Sequence, residues 1–172
     1  DRIDYPQSPD VVLTYGGPGA PLNRANRILT VADESGLEER SYGKLGEIVQ
    51  TVKTATALNG ATPKGPYTTR FQLDSFGRLL SVVYPDGETL TYGFDASGHV
   101  QSAAGTLQGV RFDYLRHHGY DEFGQRVRTV LGNGVETRQT YDPQSRFLSR
   151  IHTTGAGRDL QNLHYQYDLT GT

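Results

Sequence analysis

Residues 119–127, "GYDEFGQRV", decide the fold, because the chain repeats them. Taken once, the stretch allows two readings. Asp121 is either a ligand or base beside Tyr120, or a corner residue three positions ahead of Gly124. The phrase returns as "QLDSFGRLL" (72–80), "GFDASGHVQ" (93–101), "TYDPQSRFL" (140–148) and "QYDLTGT" (166–172), with a degenerate copy, "SYGKLGEIV" (41–49). The shared pattern is an aromatic residue or Leu, then Asp, two variable residues, Gly, a polar residue and an apolar one. Gly43 stands in place of Asp in the degenerate copy, and Ser145 in place of Gly in "TYDPQSRFL".

The first pattern residue falls at Leu73, Phe94, Tyr120, Tyr141 and Tyr167, so the steps are 21, 26, 21 and 26 residues. The alternation makes the true unit a pair of about 47 residues. Each 21-residue step holds a second turn signal, "YPDGETLTY" (84–92) or "LGNGVETRQTY" (131–141). Gly87 and Gly134 each lie seven residues before the aromatic that opens the next copy, Phe94 and Tyr141. Repetition of this kind points to architecture and not to five separate active sites.

The turn chemistry gives the repeat a mechanical meaning. Asp at the first position of a type I turn accepts backbone N–H bonds from within the turn. Gly at the fourth position takes a left-handed conformation, as in a three-residue hairpin loop with a bulge. The turn residues so assigned are Asp74, Gly77, Asp95, Gly98, Asp121, Gly124, Asp142, Asp168 and Gly171. Between turns the residues alternate. Tyr67, Thr69, Phe71 and Leu73 share one face, while Thr68, Arg70, Gln72 and Asp74 share the other. Period-2 patterning rich in Thr, Val and Tyr, cut by Gly turns every ten or so residues, predicts an all-β chain of repeated antiparallel β-hairpins.

Composition sets the outer bounds. Leu, Ile, Val and Phe number 39 of 172 residues, a low share, but eleven Tyr add apolar area and the net charge is only −2. The length predicts one folded unit with a modest core. With 17 basic and 19 acidic residues there is no electrostatic case for nucleic acid. No apolar stretch reaches the length of a bilayer span. Zero Cys excludes disulfides and thiolate chemistry. The chain opens at Asp1 and lacks Met, so it reads as a fragment or processed piece, and missing targeting signals say nothing of compartment.

Residues 1–26 carry a strand candidate, "VVLTY" (11–15), and the loop "GGPGAP" (16–21), and residues 27–172 carry the repeats. "LNGATPKGP" (58–66) is expected to be a surface loop, and looser loops are expected near Ala103–Gly109 and Gly155–Asp159. The chain stops after a turn signal, which predicts open strand edges at both ends and possible self-association through them.

Together, "YGKLGEIV", "LDSFGRLLSVVYPDGETLTYGFDASGHV", "YDEFGQRVRTVLGNGVETRQTYDPQSRFLSRI" and "LQNLHYQYDLTGT" resemble the RHS, or YD, repeat proteins over roughly residues 24–172. That family includes bacterial polymorphic toxins, parts of tripartite insecticidal toxin complexes, and animal teneurins. The resemblance implies a curved strip of hairpins winding into a hollow shell, which in bacterial members encloses a C-terminal toxin domain. It implies neighbouring YD repeats and a toxin cargo as partners, no cofactor, and a secreted or bacterial cell-surface location. "YDPQSRFLSR" (141–150) resembles the opening of a self-cleavage core motif, but "IHTTG" follows, so these residues read as an ordinary repeat.

Other chemistry weighs little in the sequence. His117 and His118 are adjacent and in a strand face opposite sides, and His99, His152 and His164 fall at unrelated repeat positions. No Gly-x-Ser-x-Gly elbow is present, and the glycine segments lack the Lys of a phosphate loop. Each Asp-x-x-Gly turn offers one carboxylate where calcium wants several. The expectation is a non-enzymatic wall segment of a shell around a toxin domain. The alternative is a cell-surface adhesion module that binds carbohydrate or a receptor through its exposed aromatics.

Overall fold

The computed structural model describes residues 1–6, 10–56 and 64–168. Among them there is no helix, and the strands follow one another in chain order without a crossover. They are β1 (Arg2–Ile3), β2 (Val11–Tyr15), β3 (Ile28–Asp33), β4 (Gly36–Tyr42), β5 (Ile48–Ala55), β6 (Lys64–Leu73) and β7 (Leu79–Val83). Then come β8 (Thr89–Phe94), β9 (Val100–Leu107), β10 (Val110–Tyr120), β11 (Arg126–Leu131), β12 (Glu136–Tyr141), β13 (Leu148–Gly155) and β14 (Arg158–His164). The chain divides into two compact units, Asp1–Thr89 and Leu90–Thr172. In the first, β1 to β7 pair antiparallel in sequence; in the second, β9 to β14 do the same.

The expected modest core is hardly there. Tyr42, Val82, Ala103 and Ala104 are the buried apolar residues among those described, and Ser41 is the buried polar one. The pairing explains this. A strand with apolar residues on one face buries them only if a second layer covers that face, and within each unit the strands pair side by side with their neighbours in sequence. Stability therefore rests on ladder hydrogen bonds, cross-strand pairs and the chemistry at the strand ends.

Two loop expectations fail, and a third fails at its C-terminal end. Leu107 pairs with Val110 and Gly155 with Arg158, so the loops expected near Ala103–Gly109 and Gly155–Asp159 are two-residue turns at Gln108-Gly109 and Ala156-Gly157. All four turn residues have positive φ, 50° and 79° in one turn and 49° and 73° in the other, as a type I′ hairpin turn demands. The extra residues of the 26-residue step lie in longer strands: β9 and β10 have 8 and 11 residues, β11 and β12 have 6 each. Likewise Lys64–Pro66, expected within a surface loop, already belong to β6. The rest of that loop, 58–63, lies outside the described residues.

Candidate functional site

The repeated turns form a closely matched set. In the first unit the Asp74 carbonyl accepts the Gly77 N–H at 3.0 Å, and the Asp74 N–H donates to the Arg78 carbonyl at 2.9 Å. Asp95 with Gly98 and His99, and Asp121 with Gly124 and Gln125, make the same two bonds in the second unit at 2.9–3.1 Å. Each carboxylate turns inward. Asp74 Oδ1 accepts the N–H groups of Phe76 and Arg78 at 2.8 and 3.0 Å. Asp95 Oδ1 accepts those of Ser97 and His99, both at 2.9 Å. Asp121 Oδ1 accepts those of Phe123 and Gln125 at 3.0 and 2.8 Å. Gly77, Gly98 and Gly124 have φ of 77°, 87° and 74°, the left-handed region that costs any other residue a backbone penalty.

The N–H donors also set the electrostatics. The Arg78 amide, with the Arg78 guanidinium behind it, holds the Asp74 carboxyl below the usual carboxylate range. The His99 amide does this for Asp95, and the Ser145 amide for Asp142. An oxygen already holding two N–H bonds is poorly placed to receive a metal ion, and no group of three His, Asp or Glu able to hold one occurs among the described residues.

Two copies depart from the pattern, and both are compensated locally. In "TYDPQSRFL" the left-handed residue is not Ser145, where alignment puts it, but Arg146, with φ of 62°. The loop is one residue longer: the Asp142 N–H donates to the Phe147 carbonyl, and the Arg146 N–H to the Asp142 carbonyl. Asp142 Oδ1 now accepts Gln144 N–H, Ser145 N–H and Ser145 Oγ–H. In the degenerate copy, Gly43 and Gly46 keep the backbone bonds, and the Glu47 carboxylate lies where a Cβ at Gly43 would stand. Of the remaining turn residues, Asp168 is exposed and lines an open groove of about 410 Å³ with Asp142, Ser145, Phe147, Ser149, Tyr165 and Tyr167. Gly171 lies outside the described residues.

What sequence reasoning missed is the role of the motif's tyrosine hydroxyls, since it weighed these rings only as apolar area or as a carbohydrate-binding face. Three hydroxyls donate to the carbonyl of the first residue of the preceding strand, and that of Tyr167, which follows β14, donates to the first residue of β13. In the first unit Tyr42 reaches Ile28 at 2.8 Å. In the second, Tyr120 reaches Val100 at 3.0 Å, Tyr141 reaches Arg126 at 3.1 Å, and Tyr167 reaches Leu148 at 2.9 Å. The acceptors have a reason to be there. Pairing slips by one residue directly after the turn at Tyr42/Ile48, Tyr120/Arg126 and Tyr141/Leu148. A bulge of this kind breaks the ladder locally; the skipped residues are Val49, Val127 and Ser149, and the acceptors Arg126 and Leu148 each stand directly before one of them. The residue just before the acceptor often lies on the same ring. The Arg27 guanidinium sits 5.5 Å from the Tyr42 centroid, His99 stacks on Tyr120 at 4.6 Å, and Phe147 meets Tyr167 at 5.0 Å. The signal was available: Tyr, and not Phe or Leu, opens four of the six copies.

Histidines enter this edge as packing groups. His118 meets Tyr120 edge-on at 6.1 Å, and burial pushes its imidazole pKa down. His117 and His118 pair with Val130 and Thr129 as successive residues of β10. His152 bonds Asp159 at 2.9 Å in a cross-strand pair.

The family model of the RHS repeat matches residues 74–110. The chain carries an RHS repeat. Toxin subunit YenC2 of Yersinia entomophaga is 28% identical over 179 aligned residues, which cover 99% of this chain and 17% of that protein. Double-stranded DNA deaminase toxin A of Burkholderia cenocepacia is 30% identical over 80% of this chain and 10% of its own length. Human Teneurin-4 is 30% identical over 45% of this chain. The chain thus spans less than a fifth of each of these relatives. Among solved structures, the complex TcdB2-TccC3-Cdc42 matches 99% of the RHS-repeat chain with a TM-score of 0.81 at 22% identity. The Photorhabdus luminescens Tc holotoxin pore matches 99% with a TM-score of 0.82 at 22% identity. The all-β, hairpin-repeat fold is therefore shared with parts of these toxin assemblies, of which the match covers 9%. No described helix is long and apolar enough to cross a membrane.

Proposed function

We propose that this chain is a wall segment of an RHS-repeat shell that encloses a C-terminal toxin domain and does no catalysis itself. The observation that carries the reading is a repeated sheet with almost no interior, whose fold recurs over 99% of the chain in Tc toxin assemblies. A wall must present two faces, one to solvent and one to cargo. It must also grow by adding units that contact only their neighbours. Matched turns closed by tyrosine staples supply such growth. The toxin names among the relatives support a secreted or cell-surface setting, with adjoining repeats and a toxin domain as partners.

The test is made on the intact parent protein, by recording its mass under native and denaturing conditions. The expected result is a C-terminal fragment or domain that stays with the wall natively and separates only in denaturant. The adhesion reading has the Teneurin-4 match as its support. Selective binding on a glycan array, together with the absence of any retained domain, would favour it over the wall.

A further inference from the structure

We propose that the seam between β11 and β12 is the line along which the second unit opens, with a side-chain clasp at one end and a glycine hinge at the other. The seam has little ladder. Among the described residues only Arg128, Thr129 and Val130 pair across it, with Arg138, Thr137 and Glu136. Pairing is longer on both flanks. All six residues of β12 pair with β13, and β11 pairs with β10 from Leu131 opposite Leu115 to Arg126 opposite Tyr120. The Arg128–Glu136 ion pair, at 3.0 Å, reinforces the seam on an exposed surface, where such a pair adds little. Opening here leaves both Asp-turn hairpins, β10–β11 and β12–β13, intact.

Where the ladder stops, side chains cross instead. The Tyr141 hydroxyl donates to the Arg126 carbonyl at 3.1 Å, and Arg126 Nε to Gln139 Oε1 at 3.2 Å. Further out, Gln125 Nε2 donates to the Arg146 carbonyl at 2.9 Å. The Arg146 guanidinium in turn lies 3.6 Å from the centroid of the Phe123 ring, a cation–aromatic contact. Among the described residues no backbone hydrogen bond joins these two turns. Two local costs oppose the clasp. Arg146 is held at a φ of 62°, which a residue with a side chain resists. Gln125 Oε1 is buried with no hydrogen-bond partner among the described residues, a second penalty. A contact set offset in this way closes the seam by a small margin.

The far end is suited to turn. Gly134 has a φ of 84°, and nothing lies within 4 Å of where its Cβ would stand. Gly132, two residues earlier, stays with β10: its N–H donates to the Tyr114 carbonyl at 3.1 Å, and a Cβ there would strike the Asp113 carbonyl. Rotation therefore falls on Asn133 and Gly134, and glycine absorbs a dihedral change cheaply. Local opening follows the places where few bonds must break together. In this unit that place is the β11–β12 seam.

The experiment is hydrogen exchange on the intact chain that carries this segment, read by mass with residue-resolving fragmentation. Amides bonded across β11–β12 are expected to exchange about tenfold faster than those bonded across β12–β13. Phe123→Leu and Arg146→Gly are then measured singly and together. Relief of φ at position 146 is the same with either residue at 123, so it cancels in the cycle and leaves the guanidinium–ring contact. The clasp predicts that the two changes together speed seam exchange about fivefold less than the product of their single effects, while exchange across β12–β13 stays put. Single effects that simply multiply would overturn the clasp. Seam amides as protected as those across β12–β13 would overturn the opening line, and so would variants that speed exchange evenly across every strand.

Discussion

Gly124 isolates the backbone contribution to a turn. A Cβ placed there would lie 3.6 Å from His99 Nε2, an ordinary contact. Crowding is therefore not the obstacle; the φ of 74° is. Gly124→Val should cost about 1–3 kcal/mol, read as a lower urea midpoint, and an unchanged midpoint would refute the left-handed assignment. The staple is tested one atom at a time. Tyr141→Phe removes the hydroxyl that donates to the Arg126 carbonyl and should cost about 0.5–1.5 kcal/mol in urea unfolding. The turn carboxylates predict a pH dependence. Asp74, Asp95 and Asp142 are held below the ordinary 3.8 by backbone N–H donors. A depressed folded pKa stabilises the fold above the unfolded value and loses that contribution as pH falls through the folded one. The urea midpoint should therefore fall as pH drops from 5 through about 4 and below, and Asp95→Asn should shallow that fall.

At the scale of the hairpin, the turns facing away from the Asp series carry residues their geometry does not favour. Ala156 and Gln108 sit at φ of 49° and 50°, where Asn or Gly is at ease. Ala156→Asn should raise stability by about 0.5–1 kcal/mol, measured by thermal unfolding, and a destabilised variant would contradict the type I′ geometry. These turns also mark the limit of what the sequence tells. The Asp-x-x-Gly hairpins were legible because the turn chemistry is written in the residues that perform it. "LQGV" and "GAGR" were read as loose loops because neither has the Asn-Gly or Asp-Gly signature. Only the pairing of Leu107 with Val110 and of Gly155 with Arg158 shows the strands running on. The shift of the left-handed residue to Arg146 was hidden because the extra loop residue is offset downstream: Arg158 to Tyr167 spans 10 residues where Val110 to Tyr120 spans 11, so the 26-residue step is kept. The tyrosine staple was only half legible. The residue type was visible, but its acceptor lies 14 to 20 positions away, where strand pairing alone can bring it.

For the molecule as a whole, the scarcity of buried side chains is the fact that any function must explain. A sheet with Leu160 and Leu163 of β14 more than 40% exposed is costly to keep in solution unless neighbours or contents cover it. The proposed wall would resolve that cost, with one face against cargo and the edges against further repeats. The most direct measurement of enclosure is protease protection in the intact parent. A nonspecific protease is added in buffer and then in rising denaturant, and the C-terminal domain is followed by mass. The account predicts that this domain survives in buffer and is digested only once the repeat sheet unfolds. Digestion in buffer at the rate of the isolated domain would contradict it.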